Sequence, residues 1–212
     1  MVQTREIVIL YTKYPQPGFC KTRLIPELGA WRAAHLQRQM SVRLVTRLNK
    51  IIRQRAIDLT IHYDGTSQRQ MQQWLGTRHH FHPQGDGDLG DRMIRSIRDQ
   101  IPTFSRIVLM GSDCPWVDES IINQAFDGLE QHDLVIGPSF DGGYYLIGVR
   151  SNLPDRVLNG LFQGIDWSTE FVLFSTLKKT AQFNLSCHTL PYLHDIDTPD
   201  DLGHLGYYPN TQ

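Results

Sequence analysis

The sequence has few cysteines and no excess of charge of either sign, and each of these absences excludes a class of protein. The three cysteines among the 212 residues, Cys20, Cys114 and Cys187, lie far apart and form no CxxC pair. We therefore expect neither a disulfide framework nor a cysteine-based zinc site, and a reducing cytoplasm is the simpler location. Lysine and arginine total 21 against 22 aspartates and glutamates, which argues against nucleic-acid binding through bulk positive charge.

Long apolar runs are also lacking. No uninterrupted apolar segment approaches the ~20 residues that a membrane-spanning helix needs. The first apolar stretch, Ile7–Tyr11, is too short for the core of a signal peptide, so we expect no membrane insertion. At 212 residues and 40% hydrophobic content, the chain is expected to form one domain over 1–212, and the sequence does not indicate an oligomeric state.

What the sequence does contain is an alternation of short apolar runs with segments of helical periodicity. This alternation predicts an α/β fold in which a mostly parallel sheet is covered by helices on both faces. Ligands of such sheets bind in the crevice beyond the carboxyl ends of the strands. The predicted strands are Ile7–Tyr11, Ile57–Tyr63, Arg106–Met110, Leu134–Gly137, Tyr144–Val149 and, weakly, His188–Leu190. The predicted helices are Trp31–Ile52, Ser67–Leu75, Asp88–Ile101, Asp118–Leu129, Ser168–Leu177 and a helix that starts at Thr198.

The loop after the first predicted strand, Thr12–Leu24, carries three cations. Lys13, Lys21 and Arg23 share this loop with two prolines and Gly18, which restrict its turn. The cations could neutralise phosphate oxygens, although a solvated basic loop is an equally simple interpretation. The loop is not a Walker A motif, because that motif requires a glycine directly before Lys-Thr, where this chain has a cysteine.

A second loop, Gln84–Met93, satisfies the pattern GxGxxG by its letters. We do not interpret it as a dinucleotide site, because the preceding His79–Pro83 is a poor strand and because Asp86 and Asp88 would repel a pyrophosphate. A nucleotide-edge loop and a plain helix-starting turn both remain open. The three histidines of His79–Pro83 could bind a metal, but a polar surface loop is the favoured interpretation.

A carboxylate follows the predicted strand Arg106–Met110. Asp113 lies within Gly111–Pro115, after a glycine and before a proline, which would fix it at the crevice. Mg²⁺ is often held by one or two carboxylates together with substrate phosphates, so Asp113 is a candidate metal ligand. An Asx turn is the alternative, but Asp118 is better placed to cap the next helix. Cys114 could be a nucleophile, but no cation adjoins it in sequence, so we interpret it as a small core residue.

Two further loops could supply carboxylates. Asp141 lies in Gly137–Tyr145, where a double glycine permits close approach of a ligand and where tyrosines could stack or donate hydrogen bonds. An ordinary tight turn between two strands is the alternative. Asp195 and Asp197 precede the last predicted helix. Because they alternate along an extended segment, only one is expected to face the crevice with Asp113, and Asp197 is preferred because it adjoins the helix start.

Six segments, taken in order, resemble a known family. The resemblance spans about residues 6–204, and the proteins in question are the DUF2064 family, also described as arsenosugar-type glycosyltransferases of the nucleotide-diphospho-sugar transferase superfamily. The segments are KYPQPGFCKTRL at 13–24, GDGDLGDRM at 85–93, GSDCP at 111–115, GPSFDGGYYLIG at 137–148, LFQGIDWST at 161–169 and DIDTPDDL at 195–202.

The resemblance implies a Rossmann-like, three-layer α/β/α fold of the GT-A type, with a nucleotide at the first loop and Mg²⁺ or Mn²⁺ at the aspartate after the middle strand. By that likeness Lys21 and Arg23 hold phosphates, and Asp113 and Asp197 hold the metal. The predicted catalytic residues are Asp113, Asp141 and Lys21. The residues predicted to bind substrate are Lys13, Gly18, Lys21, Arg23, Asp88, Arg92, Gly142, Gly143 and Tyr144.

The leading hypothesis is a metal-dependent glycosyltransferase that uses a nucleotide-sugar donor and a small-molecule acceptor, with Asp141 as a candidate base. The first alternative, similar in scheme to molybdenum-cofactor and 2-phospholactate guanylyltransferases, joins an NTP to a phosphorylated acceptor and releases pyrophosphate. A non-catalytic nucleotide-binding protein is the second alternative, and a hydrolase that uses Cys114 is the weakest.

Overall fold

The computed structural model describes residues 5–206, which form a seven-stranded sheet flanked by six helices. The strands are β1 (Glu6–Lys13), β2 (Asp58–Asp64), β3 (His80–Pro83), β4 (Arg106–Gly111), β5 (Leu134–Pro138), β6 (Tyr144–Arg150) and β7 (Cys187–Thr189). The helices are α1 (Ile25–Arg55), α2 (Gln68–Leu75), α3 (Leu89–Gln100), α4 (Glu119–Gln131), α5 (Asp155–Phe162) and α6 (Val172–Gln182). Short 3₁₀ helices lie at Thr22–Leu24 and Pro199–Leu205.

The strand order is β3-β2-β1-β4-β6-β5-β7. Strands β3, β2, β1 and β4 run parallel, whereas β6 is antiparallel to both of its neighbours, β4 and β5. Strand β7 runs parallel to β5. The carboxyl ends of six strands therefore lie along one edge of the sheet, together with the start of β6. The prediction of a mostly parallel sheet with helices on both faces is confirmed.

Each face of the sheet has its own core because residues of a strand alternate between faces. Val8 and Leu10 of β1 pack with apolar residues of α1, α2 and α4 on one face. Ile7 and Ile9 pack with residues of α3 and α5 on the other, and α6 closes that layer through Leu173. A strand that is buried on both faces has a nearly continuous apolar sequence. This is why β1 can be recognised in the sequence.

A third, smaller core joins the two ends of the chain. Leu24 and Leu28, at the beginning of α1, pack against Ile196 and Leu202 from the C-terminal segment. Helix α1 is interrupted at Gly29, whose φ of 75° lies in the left-handed region. It starts six residues before the predicted Trp31, because Ile25 and Leu28 extend its apolar face onto this third core.

Several element predictions were incomplete or wrong. The segment His79–Pro83 was interpreted from sequence as a poor strand, but His80–Pro83 is the edge strand β3. Only Phe81 is buried in this strand, so it lacks an apolar signature. Helix α5 was not predicted, and α6 begins at Val172 rather than Ser168, whose φ is 65°. The helix start at Thr198 is real and has a capping box, but the turn is a short 3₁₀ helix.

No helix within the described part of the chain combines the length and apolarity needed to cross a bilayer.

A buried histidine lies beneath the sheet edge. His62 of β2 is only 3% exposed, and its Nδ1 lies 2.8 Å from Oγ of Ser96, which is also 2.7 Å from the hydroxyl of Tyr11. Its Nε2 is buried and has no hydrogen-bond partner among residues 5–206. Burial and the neighbouring His82 lower the pKa of His62 to about 3, so the folded protein keeps this ring neutral.

We predict that His62 makes the protein less stable in acid. The unfolded chain binds a proton here below about pH 6.5, whereas the folded chain does so only near pH 3, so stability falls as the pH decreases between these values. At pH 5 the loss relative to pH 8 is about 2 kcal/mol from this group. Urea unfolding at both pH values should show a smaller pH dependence for His62→Asn than for wild type. The exposed His80→Asn is the control, and an unchanged pH dependence in His62→Asn would contradict the prediction.

Candidate active site

Lys21 lies at the centre of the candidate active site. Its backbone adopts φ 48° and ψ 44°, a left-handed conformation that costs a non-glycine residue about 1–2 kcal/mol. The conformation turns the side chain inward, where it is 2% exposed, and its Nζ donates to the carbonyl oxygen of Ile196 at 2.6 Å. A glycine would adopt this backbone conformation without that cost. The presence of a lysine here therefore indicates that its side chain has a role.

Two carboxylates flank the ammonium group of Lys21. Oδ1 of Asp113, in the loop after β4, lies 2.5 Å from Nζ, and Oδ1 of Asp197 lies 3.5 Å from it. Arg23 reaches the other oxygen of Asp197 at 3.0 Å. Burial alone lowers the pKa of Lys21, but the two carboxylates outweigh this effect and raise it above its usual value. The ammonium is therefore charged, as a buried cation with two anionic partners should be.

The C-terminal segment is held against the Asp113 loop by the main chain. The amide of Ile196 donates to the carbonyl oxygen of Asp113 at 3.0 Å, and Ile196 itself is fully buried in the third core. Three residues earlier in the chain, the amide of Leu193 donates to the carbonyl oxygen of Pro138 at the end of β5. These contacts fix Asp197 beside Asp113 although the two residues are far apart in the sequence.

Two cavities meet at this cluster. The first, of about 360 Å³, lies over the carboxyl ends of β1, β2 and β4. Its charged lining residues are Lys13, Lys21, Asp64, Asp113 and Asp197, and Gln37 and Gln84 add amide groups. Leu89, Met93 and Leu109 contribute apolar wall. Carboxylates thus outnumber ammonium groups by one in the lining of this cavity.

The second cavity, of about 330 Å³, lies between the β5–β6 loop and the 165–172 loop. It shares Asp113, Asp197 and Tyr144 with the first cavity, and Trp167 contributes an aromatic wall that packs edge-on against Tyr144. Five carboxylates line it against a single guanidinium, that of Arg23, and the carboxylates belong to Asp113, Asp141, Glu170, Asp195 and Asp197.

Asp195 and Asp141 differ in how they are held. Oδ1 of Asp141 accepts from the hydroxyl of Ser139 at 2.5 Å and from the amide of Gly143 at 2.9 Å, which fixes it in the turn. Burial raises the pKa of Asp195 to about 6, and the nearby Asp141 carboxylate adds to the rise. The expectation that only one of Asp195 and Asp197 faces the crevice was wrong, because 194–197 is not a pleated strand. Of the two, it is Asp197 that forms an ion pair with Lys21 and lines both cavities.

The structure brings together most, but not all, of the predicted residues. Lys13, Lys21, Arg23, Asp113, Asp141, Gly143, Tyr144 and Asp197 line one or both cavities. Gly18, Asp88, Arg92 and Gly142 are not among the lining residues. Asp88 instead caps α3 in a capping box with Asp91, and Arg92 donates to the carbonyl oxygen of Gly87 at 3.1 Å. From sequence alone, a loop residue that caps a helix cannot be distinguished from one that binds a ligand.

Other sequence interpretations can also be compared with the structure. Cys114 is 1% exposed and burial raises its pKa to about 12, as expected for a core residue and not for a nucleophile. Asp64, Gln37, Gln84 and Trp167 line the cavities but were not singled out. Asp64 directly follows the predicted strand Ile57–Tyr63 and could have been found by the rule that drew attention to Asp113.

The donor set at the cluster suits a hard divalent cation. Asp113 and Asp197 offer carboxylate oxygens, and Oδ1 of Asp113 is buried without a hydrogen bond of good geometry. Within 5–206, no three or more His, Cys, Asp or Glu side chains converge as a metal-binding group. Mg²⁺ is nevertheless commonly bound by one or two carboxylates plus substrate phosphates, which is the arrangement that these residues could provide.

The sheet order and the crevice define an α/β fold shared with nucleotide-diphospho-sugar transferases and cytidylyltransferases. A protein of Desulfovibrio desulfuricans G20, provisionally described as a nucleotide-diphospho-sugar transferase, is 34% identical with a TM-score of 0.87, over 99% of this chain and 89% of that one. The 4-diphosphocytidyl-2C-methyl-D-erythritol synthase of Anaerococcus prevotii is 9% identical with a TM-score of 0.62, over 96% and 99% of the chains. The inositol-1-phosphate CTP transferase of T. maritima is 14% identical with a TM-score of 0.55, over 94% and 91%.

Residues 47–169 match the profile of a family described as an uncharacterized protein conserved in bacteria (DUF2064). The chain belongs to the DUF2064 family, and the resemblance read from its motifs is confirmed. No curated protein matches the sequence significantly. The two more distant structures, at under 15% identity, establish the fold alone.

Gly142 provides a test of how the second cavity is built. Its φ is +88°, and a Cβ there would overlap the carbonyl oxygen of Glu170, while its own carbonyl accepts from Leu173. We predict that Gly142→Ala displaces the 165–172 loop and destabilises the fold by about 2–4 kcal/mol in urea unfolding. Gly164→Ala is the matched control, because its φ is +66° but no atom lies within 4 Å of the new Cβ. Equal losses in both variants would show that backbone strain, and not the contact, determines the effect.

Proposed function

We propose that this chain is a glycosyltransferase that transfers a sugar from a nucleotide-sugar to a small neutral acceptor with the help of Mg²⁺ or Mn²⁺. The observation that carries the proposal is the meeting of two cavities at the Asp113–Lys21–Asp197 cluster. In this proposal the first cavity holds the nucleotide and the second holds the acceptor, so the bond to be broken would lie where the two cavities meet, beside Asp113 and Asp197.

The charge balance of the first cavity supports a metal. Its lining has two ammonium groups against three carboxylates, which would disfavour a diphosphate unless a further cation is present. Asp113 and Asp197 are the residues that would hold a divalent ion, which would offset the charge that develops on the departing diphosphate. Lys13 and Lys21, which line the same cavity, would bind further phosphate oxygens of the nucleotide.

The charge balance of the second cavity supports a neutral acceptor. Asp141, Glu170 and Asp195 have no contact with Lys21 or Arg23 among the described ion pairs. They would repel a phosphorylated acceptor but accept hydrogen bonds from hydroxyl groups. Trp167 and Tyr144 offer aromatic faces beside these oxygens, so a small polyhydroxy compound fits the lining.

In the proposed reaction the acceptor hydroxyl attacks the anomeric carbon of the donor. A new carbon–oxygen bond forms, the bond from the anomeric carbon to the phosphate oxygen breaks, and the nucleoside diphosphate leaves. The proton of the acceptor hydroxyl passes to a carboxylate of the second cavity. Asp141 is the base proposed from sequence, and Asp195 is a second candidate that lines the same wall.

Nucleotidyl transfer is the second candidate function. Two of the structures with this fold are described as a diphosphocytidyl-methylerythritol synthase and an inositol-phosphate CTP transferase. In that reaction an acceptor phosphate attacks the α-phosphorus of an NTP and pyrophosphate leaves. The uncompensated carboxylates of the second cavity favour glycosyl transfer over this alternative.

A thermal-shift screen of NTPs and nucleotide-sugars, each with Mg²⁺, Mn²⁺ or EDTA, tests the proposal. A donor at ~100 times its dissociation constant should add ~2.7 kcal/mol, or about 5–10 °C in Tm.

We predict that Asp113→Asn loses the metal-dependent part of the shift while Asp155→Asn, on the exposed surface of α5, keeps it. Mass spectrometry of products then separates the reactions: stabilisation and turnover by an NTP with pyrophosphate release would replace glycosyl by nucleotidyl transfer.

We further predict that removal of the base lowers kcat about 10²–10⁴-fold with little change in donor affinity. Asp141→Asn and Asp195→Asn would be compared in steady-state assays with the donor found by the screen. Asp200→Asn is the control, because it removes the same charge from an exposed position near Asp197. Full activity in both Asp141→Asn and Asp195→Asn would exclude each of these two residues as the required base.

A further inference from the structure

Lys21 occupies the space that a divalent cation would need. Its Nζ lies 2.5 Å from Oδ1 of Asp113 and 3.5 Å from Oδ1 of Asp197, so both candidate ligands already face a positive charge. A divalent ion at carboxylate oxygen distances of about 2.0–2.1 Å would lie in the same gap. The two cations would therefore repel each other at short range, so Lys21 and a divalent ion compete for these two carboxylates.

The ammonium group is retained there by more than charge. It donates to the carbonyl oxygen of Ile196 at 2.6 Å, and the side chain is 98% buried between the first loop and the C-terminal segment. A metal that binds to the ligand-free protein must break this hydrogen bond and displace Lys21. Its apparent affinity is reduced by that cost.

An incoming phosphate can offer Lys21 an alternative partner. Lys21 lines the first cavity, where the proposed diphosphate would lie, and the lysine side chain is a flexible point charge with three donors. When Nζ turns toward phosphate oxygens, Asp113 and Asp197 lose their cation. The two carboxylates then form an anionic pair that favours a divalent ion.

We propose that Lys21 is a resident cation of the ligand-free protein that excludes divalent metal from Asp113 and Asp197 until a nucleotide phosphate draws it away. Metal and nucleotide consequently bind with positive coupling, each favouring the state that the other needs. This inference rests on the metal site of the proposed function, but it assigns Lys21 a role that phosphate binding alone does not imply.

The test is a titration of nucleotide-free protein with Mn²⁺, followed by electron paramagnetic resonance and calorimetry. We expect Lys21→Met to bind Mn²⁺ at least 10-fold more tightly than wild type. Lys13→Met is the matched control, since it removes the same charge from the same cavity but Lys13 pairs with Asp64 at 3.9 Å and not with the cluster. It should leave Mn²⁺ affinity within about 2-fold of wild type.

Each outcome separates this inference from the proposed function. Equal Mn²⁺ affinity in wild type and Lys21→Met would overturn the exclusion by Lys21 and leave the metal site standing. No Mn²⁺ binding in either nucleotide-free protein would overturn the inference, whereas the metal of the proposed function is tested separately by the metal-dependent thermal shift with nucleotide. An equal gain of Mn²⁺ affinity in Lys13→Met would show that the gain comes from the change in net charge. That result would overturn the specific role of Lys21. Lys21→Gln keeps a polar group at the position and provides the same comparison if circular dichroism shows that Lys21→Met does not fold.

Discussion

The ion pairs of one buried ammonium group, that of Lys21, determine how the whole crevice is assembled. They join three parts of the chain that are distant in sequence: the loop after β1, the loop after β4 and the segment before the last 3₁₀ helix. A buried charge is stable only with partners, so movement of any one of the three parts removes an ion pair from the cluster. The third core, which packs Ile196 against Leu24, holds the same parts together by apolar contact.

The antiparallel strand β6 explains why the crevice has two sides. Parallel strands present only their carboxyl ends at this edge, where Lys13 ends β1, Asp64 ends β2 and Asp113 lies in the loop after β4. Because β6 runs the other way, its start lies at the same edge, and the β5–β6 loop brings Asp141 and Tyr144 there. The second cavity is thus a consequence of one reversed strand in an otherwise parallel sheet.

Local sequence patterns predicted the parts of the site that depend on strand ends. The apolar runs of β1 and β4 led to the prediction of Lys21 and Asp113 at the crevice, because the loop after a buried parallel strand leaves the sheet at the edge where the crevice lies. The ion pair between Lys21 and Asp113 joins residues that are distant in sequence, and no local sequence pattern indicates it. The ion pairs of the cluster were therefore not predictable. Edge strand β3 was missed for a related reason: only Phe81 is buried there, and the polar histidines around it resemble a loop.

Other differences come from residues whose chemistry serves two purposes. Asp88 has the side chain of a phosphate-site or metal-site residue, yet it satisfies the first amides of α3. Asp195 was weighed only against Asp197 as a metal ligand, because alternation along a strand allows one of them to face inward. The segment is not pleated, so both face the cavity and they take different environments: Asp197 beside two cations, and Asp195 half-buried beside Asp141.

This difference in environment separates the two halves of the proposed chemistry. On the nucleotide side, carboxylates occur with cations, and the excess of negative charge is small enough for one divalent ion to reverse it. On the acceptor side, Asp141, Glu170 and Asp195 remain after Lys21 and Arg23 have been assigned to Asp113 and Asp197. Carboxylates without cations are suited to remove a proton from a hydroxyl group and poorly suited to hold a second phosphate. A reaction that brings an anion to one side and a neutral nucleophile to the other is the one that this distribution of charge favours.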